Sequence, residues 1–238
     1  MAHPEESFPD LAGESVLSRR LGHEPLAYIL GHREFYGRSF HVGPGVLIPR
    51  QDTETLVETA IDSFQRQPSR GWRVLDLGTG SGCIAITLKL EMPGLAVVAS
   101  DVSAAALDIA EDNAKNLSAE IEFIRSDGFE AITTNSLDAI VTNPPYIGFS
   151  EVLAPELTEF EPRDALFSGP TGLEFYELLA KQASSFLKPS GQILMEVGYR
   201  QAEPVSDLFK SEGWIHMKTV KDLAGVPRVV VCAAPNAI

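Results

Sequence analysis

Cysteine is nearly missing from this sequence: Cys83 and Cys232 are the only two in 238 residues. They lie far apart and neither belongs to a CxxC or Cys/His cluster, so no disulfide framework or zinc site is expected, and a reduced, cytoplasmic compartment fits best. No apolar run approaches the roughly 20 residues that a bilayer-spanning helix needs. The segment from Met1 to Asp10 is acidic and proline-containing rather than basic and then apolar, so neither a membrane span nor a signal peptide is expected. Basic side chains are also scarce: 19 Lys and Arg stand against 33 Asp and Glu, for a formal charge of −14. Such a field repels phosphate backbones, and direct nucleic-acid binding is therefore not expected. His3, His23, His32, His41 and His216 show no metal-ligand spacing, and no metal is expected.

What is present is a hydrophobic fraction of 44%, enough for one main domain with a small extra module. From Trp72 onward, short apolar runs alternate with longer amphipathic ones, the pattern of strand-helix units around a parallel sheet. Strands are predicted at 73–77, 96–100, 121–124, 138–142, 192–197, 215–220 and 228–233, with helices between. The interval between the last two is too short for a helix, so they pair as a hairpin and set one antiparallel strand into the sheet. Upstream, Glu34–Val42 and Val46–Ile48 read as a β-hairpin around Gly43-Pro44-Gly45. A helix entered at Asp52 or Thr53 and running to about Gln65 would complete a lid. The first stretch, to Leu21, can hold one or two helical turns.

Two segments carry chemistry. Asp76-Leu77-Gly78-Thr79-Gly80-Ser81-Gly82 takes a buried strand through a glycine-rich turn into a helix near Cys83. Glycines admit a ligand close to the backbone, and the helix N-terminus offers unpaired N–H donors. The spacing is GxGxG, neither the GxGxxG of a dinucleotide site nor a GxxxxGK[ST] phosphate loop. Asp101 ends the next strand, where an acidic side chain can bind a ribose diol, and Asp127-Gly128 follows the third, facing an adenine edge. Asp101 could also cap the following helix, a role that can coexist with the first, and Asp127 could instead be a turn residue. Asn143-Pro144-Pro145-Tyr146 follows the fourth strand. Two prolines make that loop stiff, the Asn143 side-chain oxygen and the Pro144 carbonyl can each accept one hydrogen of an NH2 group, and Tyr146 supplies a flat wall for a planar amide or base.

With these residues in place the sequence resembles the class I S-adenosylmethionine-dependent methyltransferases. Asn143-Pro144-Pro145-Tyr146 narrows the resemblance to enzymes acting on amide or exocyclic nitrogens. Glu24–Gly31, Arg33–Gly37, Leu47–Glu54 and Phe160–Leu166 are similar to segments of the peptide chain release factor glutamine methyltransferases. The resemblance runs from about Arg20 to Val231 and implies a seven-stranded, Rossmann-like α/β fold. It divides the chain into a short N-terminal remnant (1–21), a hairpin and helix lid (22–68) and the methyltransferase domain (69–238). It also implies a reaction: methylation of the glutamine of a release factor's GGQ loop at its side-chain amide nitrogen, with S-adenosylhomocysteine as the other product. Cofactor contacts would come from Asp76, Leu77, Gly78, Thr79, Gly80, Asp101, Asp127, Gly128 and Asn143. Asn143, Pro144, Pro145 and Tyr146 would hold the glutamine, with Asn143, Pro144 and Tyr146 acting in catalysis. Arg50, Arg163 and Asp164 lie in the shared segments and either serve the site or orient the lid. An adenine or guanine amino methyltransferase, and a cofactor-binding protein without catalysis, are the alternatives.

Overall fold

The computed structural model describes residues 16–66 and 71–235; the part of the predicted N-terminal turns before Val16 lies outside them. Short helices α1 (Val16–Leu21) and α2 (Leu26–Leu30) lead to a two-stranded antiparallel hairpin, β1 (His32–Phe35) and β2 (Arg38–His41). After the helix α3 (Glu54–Gln65) come β3 (Arg73–Leu77), α4 (Cys83–Glu91), β4 (Ala96–Asp101), α5 (Ala104–Asn116), β5 (Glu122–Arg125) and β6 (Leu137–Thr142). Two short helices, α6 (Pro155–Phe160) and α7 (Arg163–Leu166), precede α8 (Glu174–Gln182), β7 (Leu187–Glu196), α9 (Ala202–Ser211), β8 (Ile215–Lys221) and β9 (Pro227–Ala233).

The seven strands from β3 onward form one sheet in the order β5-β4-β3-β6-β7-β9-β8. β9 runs antiparallel to both its neighbours, β7 and β8. Only the turn from Asp222 to Val226 separates the last two strands, closed by Asp222 N donating to Val226 O at 2.9 Å. That leaves no room for the crossover a parallel pair would need.

Central strands are apolar on both faces because helices cover both. Successive residues point to opposite sides. Val74, Val141, Leu194 and Val231 join Leu56, Val57, Ala60 and Phe64 of α3 and the apolar face of α4 in one core. Leu75, Ile140, Met195 and Val230 join Tyr176 and Leu179 of α8 and Val205 and Phe209 of α9 in the other. Phe35 and Phe40 of the hairpin sit in the first core, at 1% and 0% exposure, so hairpin and α3 are packed onto the sheet rather than standing off it.

The hairpin turn differs from the sequence expectation. It lies at Tyr36-Gly37, whose φ values of 51° and 70° are both left-handed, as a two-residue turn matching strand twist requires. Glu54 Oε1 accepts from Tyr36 N at 2.9 Å, and Asn113 Oδ1 accepts from His41 N at 2.7 Å, so α3 and α5 fix the hairpin in place. Gly43-Pro44-Gly45 is instead a bend after β2, and Val46 and Ile48 are buried without forming a strand.

Strand order reverses between β4 and β6 on either side of β3. At such a point the connections leave in opposite directions, and a crevice opens at the carboxyl ends of the strands.

Candidate functional site

The turn after β3 is held from behind by Asp76. This fully buried carboxylate accepts from Thr79 Oγ1 at 2.6 Å and from Ala85 N, in the first turn of α4, at 3.1 Å. Its other oxygen, Oδ1, has no partner among the described residues. Burial pushes the carboxyl up to about 7, and the nearby charge of Asp101 acts in the same direction. Asp76 and Thr79 therefore lie behind the turn as its support, while Leu77, Gly78 and Gly80 line the cavity in front. At Gly78 and Gly80, with φ of 73° and 54°, an added Cβ would meet nothing within 4 Å. The backbone there is open to a ligand.

Asp101, at the end of β4, accepts from Gly80 N through Oδ2 and from Ser103 N through Oδ1, each at 2.9 Å. One carboxylate thus ties the glycine turn to the start of α5. The capping role belongs to Ser103, whose hydroxyl accepts from Ala106 N. Asp101 also lines the cavity, with Asp127 and Gly128 on the wall after β5. The volume is about 290 Å³, and Gly45, Val46 and Leu47 form its lip.

That lip is pinned by three contacts from the lid. Tyr28 Oη donates to Val46 O at 2.6 Å, Ile48 N donates to Glu161 Oε2 at 3.0 Å, and Arg50 Nη2 donates to Glu161 Oε1 at 2.5 Å. Glu161 is buried, and a buried carboxylate is tolerable because both oxygens are engaged. Asp164 lines the cavity. Arg163 instead lies over the Phe167 and Phe149 rings, at 4.7 and 5.7 Å from their centroids, outside the cavity wall.

Asn143 to Tyr146 leave the carboxyl end of β6, where Thr142 Oγ1 donates to Leu77 O at 2.8 Å and joins the two strand ends. Asn143 and Pro144 face the large cavity and also a second one of about 110 Å³, whose walls include Arg50, Tyr146, Leu157 and Leu166. Pro145 faces the first and Tyr146 the second. The four residues stand where two compartments meet, with Asn143 and Pro144 common to both. Asn143 Nδ2 donates to Thr53 Oγ1 at 3.2 Å, while its Oδ1 is buried without a partner among the described residues. Burial pushes the Tyr146 hydroxyl up to about 12, helped by the charge of Glu196. The phenol stays neutral.

Three residues not singled out from the sequence complete the site. Gln201 Nε2 donates to Tyr146 O at 2.9 Å while its Oε1 accepts from Gly198 N at 3.0 Å, which fixes the end of the proline loop. Thr53 closes a single 3₁₀ turn before α3. Glu196 ends β7 at 1% exposure. Thr53 lay within the Leu47–Glu54 segment, and Glu196 left a signal as a carboxylate within the apolar run Ile193-Leu194-Met195-Glu196-Val197; Gln201 left none. Burial pushes Glu196 up to about 7, while the nearby Thr53 hydroxyl and the charge of Arg228 hold it down.

Comparison with known proteins follows the same lines. The family model described as the methyltransferase small domain matches residues 52–155. A release factor glutamine methyltransferase from Koribacter versatilis is 46% identical over 226 residues, covering 94% of this chain and 79% of that protein. Its counterpart from Bordetella pertussis is 43% identical, covering 95% of this chain and 84% of that one. Among solved structures, a methyltransferase from Pyrococcus furiosus superimposes with a TM-score of 0.62 at 16% identity, covering 92% of this chain and 98% of that one. At that identity the likeness is one of fold alone. Close identity across nearly the whole of one chain and most of the other is a stronger bond, and by it the chain belongs to the release factor glutamine methyltransferase family.

Proposed function

We propose that this protein transfers a methyl group from S-adenosylmethionine to the side-chain amide nitrogen of the glutamine in a release factor's GGQ loop. The observation that carries the proposal is Asn143: a buried acceptor oxygen with no partner among the described residues, at the junction of two cavities.

The larger cavity fits the cofactor. Gly78 and Gly80 leave their backbone uncovered, Asp101 is placed for a ribose diol, and Asp127 stands on the wall where an adenine edge would lie. Asp76 and Thr79 act one step back, by holding the turn. Gly128 offers backbone but no side chain to stack. S-adenosylmethionine, when bound, supplies an electrophilic methyl group on a sulfonium centre.

The chain's own residues then have to overcome a weak nucleophile. An amide nitrogen shares its lone pair with its carbonyl. Asn143 Oδ1 and the Pro144 carbonyl can accept one hydrogen each, which fixes the NH2 group and turns its lone pair toward the methyl carbon. Tyr146 walls the smaller cavity against the planar amide. The dry surroundings strengthen both hydrogen bonds and keep water from competing. No general base is needed before transfer, because the proton can leave once the new bond has formed.

The test is direct. The protein is mixed with S-adenosylmethionine and a release factor, and the digested GGQ peptide is examined by mass spectrometry. One methyl group on its glutamine is expected. Methylation of adenine or guanine in nucleic acid with none on the peptide would overturn the reading, and so would cofactor binding with no methylated product of either kind.

A further inference from the structure

The proline loop is stiff for only part of its length. A proline fixes its own φ and confines the residue before it to extended conformations, so the run from Asn143 to Pro145 is shaped by its own sequence. The first free torsion is ψ of Pro145, and Tyr146 lies beyond it. Asn143 and Pro144, which carry the two acceptors, belong to the stiff part, while the tyrosine that walls the smaller cavity beside them does not. Something outside the loop must set the distance between them.

Gln201, the residue immediately before α9, is placed to do so. Its Nε2 donates to Tyr146 O at 2.9 Å and lies 3.4 Å from Gly172 O, while its Oε1 accepts from Gly198 N at 3.0 Å. This amide cannot be turned round, because two backbone carbonyls require its nitrogen and a backbone N–H requires its oxygen. The peptide that follows Tyr146 is thus held at both ends: Ile147 N donates to Leu166 O at 3.0 Å, and the carbonyl takes Gln201. Held at one end alone it can pivot, and the ring with it. The surroundings admit the contact through two glycines. A Cβ on Gly172 would run into Tyr146 O, and one on Gly198 would stand 2.6 Å from Gln201 Oε1 and 3.0 Å from Tyr146 Cδ2. Three loops close on Tyr146 in this way, one at its carbonyl and another at its ring.

We infer that Gln201 is a positioning residue for the reaction. By holding the Tyr146 carbonyl it fixes how far the Tyr146 ring stands from Asn143 and Pro144, and so the width of the slot that receives the substrate amide. This inference rests on the function proposed above, but its first readout does not.

In protein labelled with ¹³C-tyrosine, the ring signals of Tyr146 are identified by their loss in Tyr146→Phe. Gln201→Glu keeps the shape and the acceptor for Gly198 N but sets an acceptor against the Tyr146 carbonyl, and a negative charge at the start of α9 is no burden to that helix. Gln201→Met keeps the length and gives up both bonds. Each variant should move the Tyr146 ring signals and leave those of Tyr28 in α2 and Tyr36 in the hairpin turn in place. In turnover with the release factor each should lower kcat by about tenfold, the scale of one lost hydrogen bond. KM for the release factor and the dissociation constant of S-adenosylmethionine should stay within about twofold. In a Tyr146→Ala background the same substitutions should cost nothing more. Unmoved ring signals, an unchanged kcat, or the same further loss in the Tyr146→Ala background overturns the inference. A wild-type protein that methylates no glutamine, yet shows the ring shift in Gln201→Glu, would sink the function and leave the positioning contact standing.

Discussion

Asn143 and Asp76 show how burial turns an ordinary polar side chain into a device. Asn143 keeps a buried acceptor with no partner among the described residues, where a hydrogen bond made only with the aligned substrate contributes to the transition state. Asn143→Ala is expected to lower kcat by roughly 10²- to 10³-fold, the range seen when one preorganised hydrogen-bonding group is removed. Its thermal midpoint should stay close to that of wild type, because the substitution gives up the hydrogen bond to Thr53 and leaves the packing of the strand end in place. Asp76 makes a different forecast. Its carboxyl is held at about 7 against an ordinary 3.8, chiefly by burial. Between those values the folded chain keeps a proton that the unfolded chain has released, so stability falls as pH rises across the window. Glu196 adds the same sign between 4.5 and about 7. Urea midpoints should therefore drop from about pH 5 to about pH 8, and Asp76→Asn should flatten that slope. An unchanged slope would mean that Asp76 ionises as freely as a surface carboxylate.

Among the elements, the β3 to α4 connection has the tightest steric requirements. Gly82 stands at φ 82°, and a Cβ there would come within 2.9 Å of Ile86 Cδ1 and 3.1 Å of Ala110 Cβ. Unlike Gly78 and Gly80, this glycine serves the approach of α4 to α5. Gly82→Ala combines left-handed strain with overpacking and is expected to cost about 2–4 kcal/mol in urea unfolding. A cost below about 1 kcal/mol would show that the helices can move apart freely. This turn was legible in the sequence because strand, glycines and helix start are neighbours along the chain. The hairpin was less so. Gly43-Pro44-Gly45 has the stronger local turn signal, but Tyr36-Gly37 makes the turn because Glu54 and Asn113, both distant in sequence, anchor the strands on either side.

At the scale of the whole molecule, the sheet brings four strand ends together and leaves two adjoining cavities above them. A ligand that binds only the folded chain must stabilise it. S-adenosylmethionine at about 100 times its dissociation constant should add about 2.7 kcal/mol and raise the thermal midpoint. NAD at the same concentration should not, since the glycine spacing is not that of a dinucleotide site. Equal shifts with both would count against S-adenosylmethionine as the cofactor.

The sequence by itself determined the α/β class, the place of the seven sheet strands apart from the early start of β7 at Leu187, and the antiparallel last strand, because apolar period and connection length are local properties of a chain. It also placed the glycine turn at the end of the sheet's first strand and Asn143-Pro144-Pro145-Tyr146 at the end of its fourth. Only the tertiary structure decided that Asp76 and Thr79 support the turn from behind while Gly78 and Gly80 face the cavity. It alone brought Thr53, in the turn ahead of α3, to the side chain of Asn143, and Gln201 to the backbone of Tyr146. Which buried polar group meets which is a matter of contacts between segments far apart in sequence, and such contacts leave no period or spacing to read.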